Sequence, residues 1–436
     1  MSKKAIKWLY KELPTLLKEN ILSSEIAEKL HNYYGDIDKT KGQRTTLIIF
    51  SILGSLLIGA GIILLLAYNW PQLSRPIRII LSLLPLILTQ ILAGWVILRR
   101  NESDAWREGT ATFLFLMVGA SIALIAQTYH ISSNDFNYIL FWVLLGLPLV
   151  YIMQATIPAI IYMSGITAWT ISAQFTREKP ILFWLFAAFI VPYFIQIIKR
   201  DTYRIRSVFL SLTISICICI AIGFTVSDIL EVYWPIIYGI IFSLLYMIGI
   251  LRFNESHKIW QKPFQIVGLL SSFWLSYTLT FKWFWKEFFG YIHWRLPQFS
   301  SAIPEYTLLI VITIIAIFLL VKLIRQDRTE TLSFAILPII TFIGYSSRAL
   351  GGTIIFPVIL FNLYLFTLGV NIISSGIKNE RLRTINVGML ILITLIVSRF
   401  FDSGMGFIEK GIAFIIIGIG FLMTNLILVR RWRSKA

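Results

Sequence analysis

The sequence predicts an all-α fold, a polytopic transmembrane helix bundle of about 14 helices with a short N-terminal cytoplasmic helical hairpin. Three observations carry this prediction. Of 436 residues, 57% are hydrophobic and only 14% charged, where a soluble domain carries about 25% charged. The mean hydropathy is +0.78. Long stretches lack Asp, Glu, Lys and Arg altogether, and these runs reach the roughly 20 residues that a helix needs to cross hydrocarbon.

Residues 1–44 read as the hairpin. Leu13, Leu16 and Leu17 form one apolar stripe, and Ile26 and Leu30 form another. Asn20, Ser23 and Ser24 supply turn and N-cap chemistry between the two. Gly35 and Asp36 end the second helix. The apolar runs that follow predict membrane helices near 46–68, 77–98, 109–128, 137–153, 156–175, 180–198 and 206–224. A second set falls near 234–251, 263–281, 303–322, 331–347, 353–373, 383–400 and 411–429. The first strongly apolar run begins near Thr46, too late for a cleavable signal, so the first membrane helix is expected to act as its own insertion signal.

Orientation follows from the basic residues. With the N-terminus inside, 29 of the 39 Lys and Arg fall in alternating cytoplasmic segments and 10 on the other side, as the positive-inside rule requires. The count places both termini in the cytoplasm and favours an even number of helices. It also explains the net charge of +17 by membrane topology, so nucleic acid is not an expected partner. The bilayer is.

The segment at 281–297 is too charged to span and too aromatic for a free loop. Trp283, Trp285, Tyr291 and Trp294 have the amphipathic rings favoured at the headgroup level, which predicts an interfacial element on the outer leaflet. Cys217 and Cys219 lie two apart in an apolar run, about 200° apart on a helix, and read as small core residues.

Two motifs resemble a known family. The run at 54–70 (GSLLIGAGIILLLAYNW) is similar to the glycine-rich first membrane helix of the bacterial membrane proteins grouped as domain of unknown function 2157. The run at 118–131 (VGASIALIAQTYHI), followed by Trp142, resembles that family's second hallmark. The resemblance covers roughly residues 1–175. It implies a polytopic protein of the bacterial cytoplasmic (inner) membrane and brings no activity with it. The chain accordingly divides into the hairpin at 1–44, a family-like membrane region at 45–175 (helices 1–5), and helices 6–14 with a basic cytoplasmic C-terminus at 176–436.

No ionisable residue falls near the centre of a predicted helix. Groups at that depth usually mark ion pathways or proton relays, so a carrier driven through a mid-membrane carboxylate is not expected. Polar residues collect instead at the predicted outer ends. Asn69 and Trp70 close the first helix, and Gln127, Tyr129 and His130 close the third. Arg348 lies in a short outer loop, and Arg399 and Asp402 end the thirteenth helix. These eight residues read either as a substrate-binding polar pocket, with an arginine for an anionic headgroup or carboxylate, or as separate helix caps. Ser51, Ser55 and Gly59 on the first helix, with Gly119 and Ala123 on the third, would let those two helices pack closely and bring Asn69 near His130.

The four histidines are scattered, and no spacing fixes a metal. No cofactor is expected. The leading functional expectation is binding or transport of a lipid-like or small neutral substrate through a site opening to the outer face. A non-catalytic accessory protein for envelope partners is the alternative. A membrane enzyme acting on a lipid intermediate would have only His130 or Asp402 for acid and base. Dividing fourteen helices into sevens puts Pro148 and Pro338 in the fourth of each half, and Pro158 and Pro357 in the fifth. An inverted repeat would produce that pattern, although no self-similarity of sequence accompanies it.

Overall fold

A computed structural model describes residues 21–34, 70–130, 135–176, 180–253, 259–291, 303–326 and 332–401, with isolated positions on either side of these. The expected first membrane helix, 46–68, falls almost wholly outside the described residues, with the Ser51, Ser55 and Gly59 stripe, and of the expected last, 411–429, only scattered helical positions are described.

The chain forms two units, residues 1–78 and 79–436. The first holds α1 (Ser24–Tyr34) and a 3-10 turn, Trp70–Gln72. Ser23 lies one residue before α1 and accepts the Ile26 N–H on its hydroxyl, which is N-cap chemistry. Leu13 of the first expected stripe is buried, but in the second Ile26 is exposed and the buried residue is Ala27 beside it. Arg78 donates to the Leu73 carbonyl at 2.9 Å.

The second unit is a helical bundle. It comprises α2 (Arg75–Arg99, from Ile79 onward), α3 (Asp104–Thr128), α4 (Asp135–Ile152), α5 (Thr156–Thr176), α6 (Phe183–Ala188), α7 (Val191–Arg200) and α8 (Ile205–Thr225). It continues with α9 (Ser227–Arg252), α10 (Pro263–Thr278), α11 (Lys282–Tyr291), α12 (Ile303–Arg325), α13 (Leu332–Ala335), α14 (Leu337–Ala349), α15 (Ile355–Lys378) and α16 (Leu382–Phe401). Among the described residues, 10 helical segments are long and apolar enough to cross a membrane. In two of them the pairs α6–α7 and α13–α14 each make one span. Helix α4 is apolar but shorter, Tyr138–Ile152 by that measure, and α10 has 16 residues.

Helix α9 is the hub. Of its apolar window, 61% is buried, against 11% for α12, so α9 is largely enclosed by protein and α12 is largely exposed. One core joins α4 to α9 around Tyr162, Met163, Phe183, Leu210 and Ile241. A second joins α9 to α16 around Met247, Leu275, Phe334, Phe361 and Leu395. Apolar burial gains little between helices in lipid, so close approach has to come from small residues. At Gly268 a Cβ would sit 2.5 Å from the Tyr246 nitrogen, and at Gly249 it would sit 2.4 Å from that of Gln265. These glycines set the α9–α10 contact. On α3, Gly119 lies under the Trp142 ring of α4, whose Nε1 donates to the Phe115 carbonyl at 2.8 Å. Ala123, expected in the same stripe, is exposed.

Two spans are broken by proline. Pro338 cannot donate to the carbonyl four residues back, and that carbonyl, of Phe334, accepts the Ser243 hydroxyl at 2.9 Å. Pro192 opens α7. Beside that break the carbonyls of Phe186 and Phe189 accept the hydroxyls of Tyr162 and Tyr151. Such substitution lets broken helices persist where water is absent. Pro148 lies inside an unbroken α4.

The turns segregate by end. Arg204 reaches Asp104, Glu108 reaches Thr156 and Gln261 reaches the Tyr203 carbonyl, which gathers the turns near 103, 155, 203 and 261. The Lys262 ammonium is pushed below the usual lysine range by burial and then by the Arg381 cation, so the α15–α16 turn lies at this end too. The Cys217 thiol is buried and faces the Met163 carbonyl. Helix α11 differs from a purely interfacial element. Trp283 is exposed, but Trp285 is buried and donates its Nε1 to the Leu279 carbonyl at 2.8 Å. Trp294 lies outside the described residues.

Candidate functional site at the charged end of the bundle

Helix α3 opens with Asp104, Arg107 and Glu108, three and four residues apart and therefore on one face. An acid in the first turn suits the positive end of the helix dipole. The Asp104 carboxylate meets three guanidinium groups, Arg107 at 2.5 Å, Arg204 at 2.8 Å and Arg206 at 3.2 Å. Glu108 is more deeply placed. Its Oε1 accepts the Thr156 N–H at 2.8 Å and its Oε2 the Ile157 N–H at 2.9 Å, so it caps the start of α5. Arg206 lies 3.4 Å from the same carboxylate.

The Thr156 hydroxyl is 3.0 Å from that of Tyr193 on α7. The Tyr193 ring packs edge-on against Tyr151, with 6.2 Å between centroids. A polar path therefore runs from the charged end toward the α6–α7 break. These side chains border a cleft whose walls include Asp104, Arg107, Gln154, Tyr193, Arg200 and Arg204. It holds about 40 Å³ for water-sized occupants and about 480 Å³ counting its open mouth. Gln154, in the α4–α5 turn, has φ of +47°, a left-handed conformation that side-chain-bearing residues adopt at a cost. Among the described residues no group of three His, Cys, Asp or Glu could hold a metal.

The residues singled out from the sequence lie elsewhere. Trp70 is buried, and its indole N–H has no acceptor among the described residues. Gln127, Tyr129 and His130 lie at the end of α3, and all three are exposed. His130 has φ of +51° and closes the helix in the way left-handed residues commonly do. Arg348 donates to the Gly352 carbonyl at 3.0 Å, within its own turn. Arg399 is buried, donates to the Thr280 carbonyl at 3.2 Å and hydroxyl at 3.1 Å, and stacks 4.4 Å over the Phe281 ring. Asn69 and Asp402 lie outside the described residues. Sequence reasoning missed Asp104, Arg107, Glu108, Thr156, Tyr193, Arg204 and Arg206. The available signal was the Asp104, Arg107, Glu108 spacing, an acid-rich first turn among otherwise basic segments.

Long apolar helices, proline-broken spans and a charged cleft at one end define a multi-pass, all-α integral membrane protein. Residues 14–159 match the family described as Predicted membrane protein (DUF2157). Both motifs, Trp142, and the α3 and α5 sides of the cleft fall inside that match, while Tyr193 and Arg200 to Arg206 lie beyond it. No curated protein and no solved structure matches the chain.

Proposed function

We propose that this chain crosses the bacterial cytoplasmic membrane 14 times with both termini inside, and that it binds or moves a lipid-like or small neutral substrate. Twelve of the fourteen expected helical windows contain described helices, which supports the count. The gathering of the basic turns near 103, 203, 261 and 381 supports the orientation.

One observation carries the functional reading. Helix α7 starts at a proline break, exposes Val191 and Ile195, and lines the cleft with Gln196 and Arg200. A single element thus joins a lipid-facing apolar surface to a polar cavity, and discontinuous helices commonly build transporter substrate sites. At the opposite end the reading assigns the outer opening to Gln127, Tyr129, His130, Arg348 and Arg399. The exposed Tyr129 and His130 side chains that end α3 support that assignment.

The test is lipid movement in proteoliposomes carrying a fluorescent phospholipid that dithionite bleaches from outside. Bleaching beyond the outer-leaflet half supports movement. Bleaching no greater than in protein-free vesicles, together with no lipid retained by the purified protein, overturns the reading. A second reading, a non-catalytic accessory role for an envelope partner, draws on the exposed Ile21 and Ile26 of the first unit. Crosslinking from those positions in intact membranes would test it.

A further inference from the structure

We propose that the cleft between α3, α5, α7 and α8 is an anion site that takes a phosphate group, supplied by a lipid headgroup or by a soluble phosphate. The inference deepens the lipid-handling reading and rests on it only for the source of the phosphate.

Two carboxylates line the cleft, Asp104 and Asp201, and Asp201, exposed at the rim, accepts the Tyr203 N–H at 3.1 Å. Asp104 is shared by three arginines, and both oxygens of Glu108 are given to the first turn of α5. Cationic capacity remains. The Arg107 side chain is only 10% exposed and lines the cleft, yet its Nε has no hydrogen-bond partner among the described residues. That nitrogen is sealed from the cleft, so Arg107 acts on an incoming phosphate through its charge. Arg200 stands exposed at the rim and forms no ion pair among the described residues.

The backbone adds to this. The first-turn N–H groups of α5 are already taken by Glu108; helices α3 and α8 also begin at this end, and neither Ser103 before α3 nor Arg204 before α8 supplies a side-chain cap. Their first-turn N–H groups and aligned dipoles favour an anion. Arginine is the side chain best shaped to hold phosphate oxygens in pairs, and basic pockets between membrane helices suit lipid headgroups.

The experiment uses the full chain in detergent and three probes, inorganic phosphate, phosphatidylglycerol and diacylglycerol. Affinities are read by native mass spectrometry and thermal shift. Phosphate and phosphatidylglycerol should bind, and diacylglycerol should bind much more weakly. Arg200→Ala breaks no ion pair, so it should leave the melting temperature unchanged while weakening phosphate binding about tenfold. Asp104→Asn should tighten it by releasing its arginines. Higher salt should weaken it.

Wild-type protein that binds neither phosphate probe overturns the proposal, as do affinities that neither variant changes. Phosphate binding that depends on Arg200, with phosphatidylglycerol no better than diacylglycerol, keeps the anion site and removes the lipid as its source. Phosphatidylglycerol retained equally by Arg200→Ala sinks the anion site and leaves the lipid-handling reading standing.

Discussion

The Glu108 carboxylate on α3 caps the first turn of α5 by accepting the Thr156 N–H at 2.8 Å, across 48 residues of sequence. It ties two membrane helices together at their charged ends. Glu108→Ala removes that cap and leaves the first-turn amides of α5 without an acceptor. The expected loss is about 2 kcal/mol, read as a lower melting temperature in detergent, with Glu108→Gln intermediate. An unchanged midpoint in the alanine variant would mean that water caps α5 equally well.

Gly268 faces backbone across the α9–α10 contact, with no side chain able to yield. Gly268→Ala should therefore force the helices apart and cost roughly 1–3 kcal/mol. A methyl group added at Gly94 would meet nothing within 4 Å among the described residues, so Gly94→Ala should be tolerated. Thermal unfolding of the two variants side by side checks the contrast, and equal midpoints would contradict it.

The hydroxyl of Ser243 takes the Phe334 carbonyl that Pro338 leaves open. Ser243→Ala should lower stability by about 0.6 kcal/mol, the usual scale for such bonds between membrane helices. Amide exchange around α13 and α14 should rise, and exchange unchanged from wild type would argue that another donor serves the break.

Arg399 is a structural tie between α16 and the turn after α10, through Thr280 and Phe281. Arg399→Lys keeps the charge but loses the planar fork and the ring stacking. It should destabilise the protein by about 1–2 kcal/mol, and Arg399→Ala by more. If Arg399 served a substrate alone, both variants would melt like wild type and lose only binding.

The helices were readable because lipid imposes long uncharged runs. The run at 77–98 became Arg75–Arg99 and the run at 206–224 became Ile205–Thr225. The breaks were half readable. Pro192 and Pro338 were visible, but whether a proline interrupts a helix depends on donors such as Tyr151 and Ser243 from other helices, which no local pattern reveals. The cleft was hidden for the same reason. Asp104 and Arg204 are 100 residues apart, and basic residues at helix ends are fully accounted for by topology, which masked their pairing. The small residues of α3 announced close packing, but the partner that fills Gly119 is Trp142 of α4.

The central claim, that this membrane protein handles a lipid-like substrate, is tested most directly by the lipid it keeps. The protein should be purified through exhaustive detergent exchange and its retained lipids compared by mass spectrometry with those of the source membrane. The account predicts one phosphate-bearing lipid class strongly enriched over its bulk proportion. Retained lipid that mirrors the bulk membrane, or none at all, would contradict it.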